Sequence, residues 1–273
     1  MDTIALLIHR ALEEDLPSGD ITTDALFTDE MATATFIAKE DGILSGIEVA
    51  KLTFLAVDPQ VKFTVASHDG DIIKKGTKIA TVSGRTKSLL HGERVALNFL
   101  QRMSGIATLT HEFVCAIAGT NTLILDTRKT TPTLRILEKQ AVKDGGGKNH
   151  RMSLSDMAMI KDNHIKAAGS ITSAVHIVKA KLASNVLVEV EVETLDQYQE
   201  ALHTKADIIM LDNMSLALME QCVKIPHEGK KLEASGNMTI DRVLSVAKTG
   251  VDFISVGALT HSYRSLDISL KFL

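Results

Sequence analysis

Several features are missing from this 273-residue chain, and each absence removes a class of function. There is no excess of positive charge: the formal net charge is −4. A general nucleic-acid binder would normally be basic overall, so the basic residues that are present act locally. There are only two cysteines, Cys115 and Cys222, far apart and without metal-ligand spacing. They read as buried free thiols of a reducing compartment. No apolar run approaches the roughly 18 residues of a membrane span. The N-terminal stretch MDTIALLIHRALEEDL has no basic start followed by an apolar core. Its Ile4, Leu7, Ile8, Ala11 and Leu12 fall at helical spacing, so it reads as an amphipathic helix and not a leader. Low-complexity and charge-block segments are absent as well.

What is present has two textures. Up to about residue 105, short strand-like runs (32–39 and 61–66) flank a helical run at 47–57, and residues 68–84 look like a hairpin with glycine turns. This is an α+β module. From about residue 120, apolar runs at 122–125, 157–160, 186–192, 207–211, 231–234 and 252–256 alternate with helical stretches such as 215–223. That alternation predicts parallel strands. Six strands fall short of a closed eightfold barrel, so an incomplete, irregular α/β barrel is expected.

Each predicted strand ends in polar residues: DTRK, KDNH, EVE, LDN, ASGN and SVGA. In barrels of this kind the C-terminal strand ends carry the site. Between residues 126 and 166 there are nine Lys or Arg against five Asp or Glu. Lys139 and Lys143 belong to a helical run and read as solvated. Arg128, Lys129, Arg151 and Lys161 instead flank strand ends or the Gly145–Gly147 loop. Arginine presents a planar fork to carboxylate or phosphate oxygens, so several converging cations imply a substrate with several negative charges. The three glycines would let the backbone approach an anion, although loop freedom alone would also explain them. ASGN (234–237) and SVGAL (255–259) each put Ser and Gly between a strand and a helix, where backbone N–H groups could cradle a phosphate.

The acids come from VEVEVE (188–193) and LDN (211–213). Strict alternation puts Val188, Val190 and Val192 on one side and Glu189, Glu191 and Glu193 on the other. Burying a glutamate row is costly without a task. Glu191, near the strand end, and Asp212 could hold Mg²⁺ or ribose hydroxyls, or a buried structural ion pair. Arg94 shares a helical stripe with Leu90, Leu97 and Gln101. It fits either a salt bridge or an arginine reaching into a site, perhaps that of a second subunit.

Seven ordered segments, GERVALNFLQRMSGIAT, DTRKTTPTLRILEKQAVKDGGGKNHR, LSDMAMIKDNHI, VEVEVE, IIMLDNM, LEASGN and GVDFISVGALTHS, resemble the quinolinate phosphoribosyltransferases, from about residue 14 to the end. The resemblance implies an N-terminal α/β sandwich (1–105, with the tail 263–273 packed on it) beside an irregular α/β barrel (106–262). It implies transfer of phosphoribose from phosphoribosyl pyrophosphate (PRPP) to quinolinate with Mg²⁺ and loss of CO₂, in NAD biosynthesis. It also implies a cytoplasmic homodimer that binds neither nucleic acid nor membrane. In that family pattern Arg128, His150, Arg151 and Lys161 embrace quinolinate, with Arg94 supplied by the other subunit. Lys129 lies near the reacting groups; Glu191 and Asp212 hold ribose hydroxyls and metal. Ser235, Gly236 and Asn237, with Ser255, Val256, Gly257 and Ala258, hold the 5′-phosphate. Other readings remain at this point: a Schiff-base lysine (Lys129 or Lys161) in an aldolase-like barrel, a related phosphoribosyltransferase for another pyridine or base, a carrier module whose Lys74 or Lys75 takes a cofactor, and a catalytically dead regulatory homologue.

Overall fold

The computed structural model describes residues 3–273; Met1 and Asp2 of the amphipathic N-terminal stretch lie outside the described residues. In chain order the first elements are α1 (Thr3–Asp15), α2 (Ile21–Leu26), β1 (Met31–Ala38), β2 (Gly42–Ile43), α3 (Ile47–Val57), β3 (Lys62–Val65), β4 (Ile72–Ile73), β5 (Lys78–Arg85) and α4 (Thr86–Ala116). There follow β6 (Leu123–Leu125), α5 (Arg135–Asp144), β7 (Ala158–Ile160), α6 (Asp162–Ala168), α7 (Ile171–Lys181), β8 (Val188–Val192) and α8 (Leu195–Leu202). The chain ends with β9 (Ile208–Asp212), α9 (Leu216–Lys224), β10 (Lys231–Ser235), α10 (Ile240–Ala247), β11 (Phe253–Ser255), α11 (Ala258–His261) and β12 (Ile268–Phe272).

Packing divides the chain into two units. One comprises Met1–His111, Thr130–Gly146 and Ser262–Leu273; the other comprises Glu112–Lys129 and Gly147–His261. By packing, α5 groups with the first of these units. Gly145 shows why. A Cβ there would stand 2.3 Å from the Ala107 carbonyl oxygen of α4, so only glycine permits this approach. Gly145 is thus a packing residue and not part of a loop over a ligand. Lys139, expected to be solvated, is fully buried on α5 beside the equally buried Glu138. Glu138 accepts from the Arg102 guanidinium, which also lies over the Tyr263 ring.

In the first unit, an antiparallel sheet of order β12-β1-β5-β3 carries the core. Ala34, Phe36 and Ala38 of β1 and Ile79, Ala80 and Val82 of β5 are buried with Phe54 of α3. Phe36 meets Phe54 edge-on, with centroids 6.0 Å apart, a favoured aromatic geometry. The expected hairpin over 68–84 does not form: β4 pairs with β2, while β5 pairs with β1 and β3. Only Ile73 of the two-residue β4 is buried, whereas β5 puts three apolar side chains into the core. β5 is therefore drawn into the main sheet.

The second unit is a six-stranded sheet, order β6-β11-β10-β9-β8-β7, parallel throughout. β6 and β7 are its edges, so the barrel is open. All six predicted strands are present. Val188, Val190 and Val192 are fully buried, as the alternation required. Helices start where side chains replace missing partners: Ser170, Thr194 and Ser215 each accept an amide N–H in the first turn of α7, α8 and α9. At the opposite, N-terminal ends of the strands, Asp207 and Asp252 tie neighbouring strands together. They accept from Val188 N (2.7 Å) and Leu232 N (2.9 Å) and pair with Lys179 and Lys231.

Candidate active site

The C-terminal strand ends of the second unit enclose a cavity of about 580 Å³. Arg128 and Lys129 follow β6, Arg151 precedes β7 and Lys161 ends it; all four line the cavity. So do Glu191 of β8, Asp212 of β9, Ser235 at the end of β10, Gly236 and Asn237 after it, and Ser255 of β11. Segments separated by more than a hundred residues meet because every parallel strand delivers its last residue to the same end.

The glutamates of β8 divide by depth. Glu189 is fully buried, Glu191 is half-buried and Glu193 is exposed. Glu191 accepts from the Lys161 ammonium in a short ion pair. Carboxylate oxygens of Glu191, Glu193 and Asp212 lie within 4.8 Å of one another, a donor set suited to a hard divalent cation. Asp212 also accepts from the Asn213 amide at 2.7 Å.

His150 enters from the side. Its backbone N–H donates to Asp126 Oδ1 at 2.8 Å, and its side chain is only 6% exposed. Nε2 lies 3.1 Å from Glu189 Oε2 and 3.5 Å from Glu233 Oε2. Burial alone favours the neutral ring, but the facing carboxylates outweigh it and raise the ring's pKa to about 10. Burial and the neighbouring Glu233 likewise raise Glu189, to about 7. The Arg151 amide donates to Nδ1 at 2.7 Å, which resists a second proton on the ring. We therefore place the ring proton on Nε2 and treat one further proton as shared among the ring and the two acids.

The predicted phosphate loops fare unequally. Gly236 has φ +98°, and a Cβ there would stand 2.2 Å from Asn213 Oδ1, so this loop requires glycine. Gly257 lies against the Lys129 stem and the His261 ring, which a Cβ would meet at 3.2 and 3.0 Å. Val256 does not fit the reading. Its side chain is fully buried and its N–H is spent on the Leu125 carbonyl, extending the parallel ladder. Neither Val256, Gly257 nor Ala258 lines the cavity. Arg94 belongs to the other unit, exposed on α4. Of the cysteines, Cys222 is buried as expected, but Cys115 is exposed on α4.

Sequence reasoning passed over Asn213, Met159, Met210 and Glu233, all of which line the cavity. Glu233 was detectable as an acid inside the apolar run KLEA; the methionines looked like ordinary strand residues.

Family models describe the two halves: "Quinolinate phosphoribosyl transferase, N-terminal domain" matches residues 20–104 and the C-terminal domain of the same name matches 106–271. The chain belongs to the quinolinate phosphoribosyl transferase family. It is 44% identical over 267 residues to a probable nicotinate-nucleotide pyrophosphorylase (carboxylating) of Synechocystis, covering 97% of this chain and 90% of that one. To a quinolinate phosphoribosyltransferase (decarboxylating) of Nicotiana tabacum it is 46% identical, covering 97% and 81%. The structure of the nicotinate-nucleotide pyrophosphorylase from Francisella tularensis superposes with a TM-score of 0.96 at 42% identity, covering 100% and 96%. Membership of this family sets aside the aldolase and carrier readings. No helix among the described residues is long and apolar enough to cross a membrane.

Proposed function

We propose that this family member joins quinolinate to PRPP, releasing pyrophosphate and CO₂ and leaving nicotinate mononucleotide, as a step of NAD biosynthesis. The observation that carries the reading is the convergence of Arg128, Lys129, Arg151 and Lys161 with Glu191 and Asp212 in one cavity. Quinolinate brings two carboxylates; PRPP brings a 5′-phosphate and a pyrophosphate. A site for both must neutralise several anions and still present acids to a cationic centre.

In this reading Arg128, His150, Arg151 and Lys161 take the quinolinate side, and Ser235–Asn237 with Ser255, Gly257 and Ala258 take the 5′-phosphate. Glu191 and Asp212 accept from the ribose hydroxyls. The pyridine nitrogen forms the bond to the anomeric carbon as the C–O bond to pyrophosphate breaks, its electron pair leaving on oxygen. Glu191 and Asp212 stand near the positive charge that develops on the ribose. Lys129 faces the reacting groups and the departing pyrophosphate. The bond to the adjacent carboxylate then breaks. Its pair stays on the ring carbon, stabilised by the quaternised nitrogen, until a proton replaces CO₂. No covalent nucleophile is needed; the protein positions and neutralises. The close oxygens of Glu191, Glu193 and Asp212 suit Mg²⁺, held chiefly by Glu191 and Asp212. Bound with PRPP, Mg²⁺ would supply charge neutralisation to the leaving pyrophosphate.

A homodimer in which Arg94 serves the partner's site is part of the same reading, supported by an exposed arginine on a helix whose Leu97 is buried. A reducing, cytoplasmic setting agrees with two free thiols. The test uses quinolinate labelled in its 2-carboxylate, with PRPP and Mg²⁺. PRPP-dependent release of label, matched by equal nicotinate mononucleotide, is the expected result. Absence of release from folded protein would overturn the reading.

A further inference from the structure

Beneath a cavity lined with cations lie two acids that the proposed chemistry does not use. Glu189 of β8 and Glu233 of β10 are both fully buried, on strands separated by β9. Apart from the His150 ring, none of their four carboxylate oxygens has a hydrogen-bond partner among the described residues. Their close polar neighbour is His150 Nε2, at 3.1 and 3.5 Å. A fold does not keep two buried carboxylates on a single imidazole for stability alone, since apolar residues of similar volume would do as well or better. Negative charge beneath an anion site also works against binding unless it is tied to something that binding needs.

What it is tied to is the segment carrying Arg151. The His150 ring occupies the position between the two acids, while its backbone N–H is fixed by the buried Asp126. The next amide, that of Arg151, closes on the ring's Nδ1. The Arg151 guanidinium then donates to the Met157 carbonyl at 3.0 Å and lines the cavity. The ring is thus a peg, and the two acids are its socket. Removing the socket leaves the peg free and lets the neighbouring arginine swing.

We propose that Glu189 and Glu233 are positioning residues for the pyridine dicarboxylate: acting through His150, they lock the segment that presents Arg151 to the substrate. This rests on the quinolinate reading above. Glu233 reaches the cavity wall, and both acids act through the His150 ring that lies between them. Their effect falls on one substrate and not on the other, because the ribose-binding acids Glu191 and Asp212 stand on strand ends that do not depend on His150.

The test compares wild type with Glu233→Gln and Glu189→Gln, each checked to be folded at the assay pH. We expect KM for quinolinate to rise on the order of tenfold while KM for PRPP stays within about twofold. Glutamine keeps volume and one acceptor oxygen but not charge, so a merely space-filling role would leave both constants unmoved. If one variant fails to fold, the other carries the comparison. Histidine labelled with ¹⁵N gives a readout independent of turnover: the ring nitrogens of His150 should report the Nε2–H form in wild type and lose that fixed state in the variants. Equal shifts of both KM values, or unchanged KM values with unchanged ring signals, would overturn the proposal. Wild type that does not turn over quinolinate at all would instead overturn the functional reading, which separates the two failures.

Discussion

Two acidic clusters in this protein grow from the same strand and behave in opposite ways. Glu189 joins Glu233 and His150 in a closed socket; Glu191, two residues on, joins Glu193 and Asp212 at an open rim. Side chains two apart on a strand share a face, so the residues differ only in depth. Depth decides whether the acid's partner comes from the protein or from the ligand. In the socket the protein supplies the imidazole. At the rim Lys161, about half exposed, covers Glu191 and faces the cavity with it.

The strongest way to sharpen this contrast is at the rim. If Lys129 faces the leaving pyrophosphate as proposed, Lys129→Ala should cut kcat on the order of a hundredfold with little change in melting temperature, since an exposed cation adds nothing to the core. Near-normal turnover would remove Lys129 from the catalytic set. Asp212→Asn should come next. Its loss should appear as a higher Mg²⁺ requirement and a KM for PRPP raised about tenfold, with quinolinate binding preserved. An equal loss for both substrates would mean that the rim and socket are not separate devices.

Smaller effects probe the folded state. Gly236→Ala places a Cβ against Asn213 at a left-handed backbone position and should cost about 1–3 kcal/mol of stability, read by denaturant unfolding. The socket should also make stability depend on pH. It holds a proton that an unfolded histidine, with its ordinary pKa of 6.5, would release. Both shifted groups have folded values above their unfolded ones, so the contribution is full at low pH. The shared proton, and with it this contribution, is lost as pH rises through the range from about 7 to about 10. Glu233→Gln should flatten that slope in thermal melts; an unchanged slope would show that the proton is not held there. At the small end, Lys143→Ala on the exposed side of α5 should fall within about 0.5 kcal/mol of wild type.

Much of the second unit could be read in advance, for a physical reason. Parallel strands buried on both faces carry apolar runs, and βα alternation puts their polar ends on one rim. Arg128, Lys129, Lys161, Glu191 and Asp212 were therefore placed together from spacing alone. Misreadings arose where a distant partner decides. Lys139 looked solvated because its neighbours in sequence are polar; packing of α5 buries it. Residues 68–84 looked like a hairpin because glycines flank two short apolar runs. The core claimed β5 and left β4 to β2. Val256 sat in a phosphate-loop pattern, but its N–H went to Leu125, a residue more than a hundred positions away.

The sequence by itself determined the local periods: which segments are strands, which ends are charged, and that the valines and glutamates of β8 face opposite ways. These follow from backbone geometry repeating every two or 3.6 residues, which any short window contains. Tertiary structure alone decided depth and partnership: that Glu189 is sealed and Glu191 open, and that His150 stands between two acids of non-adjacent strands. Burial and charge pairing depend on what other segments bring within a few ångströms, and no local window carries that information.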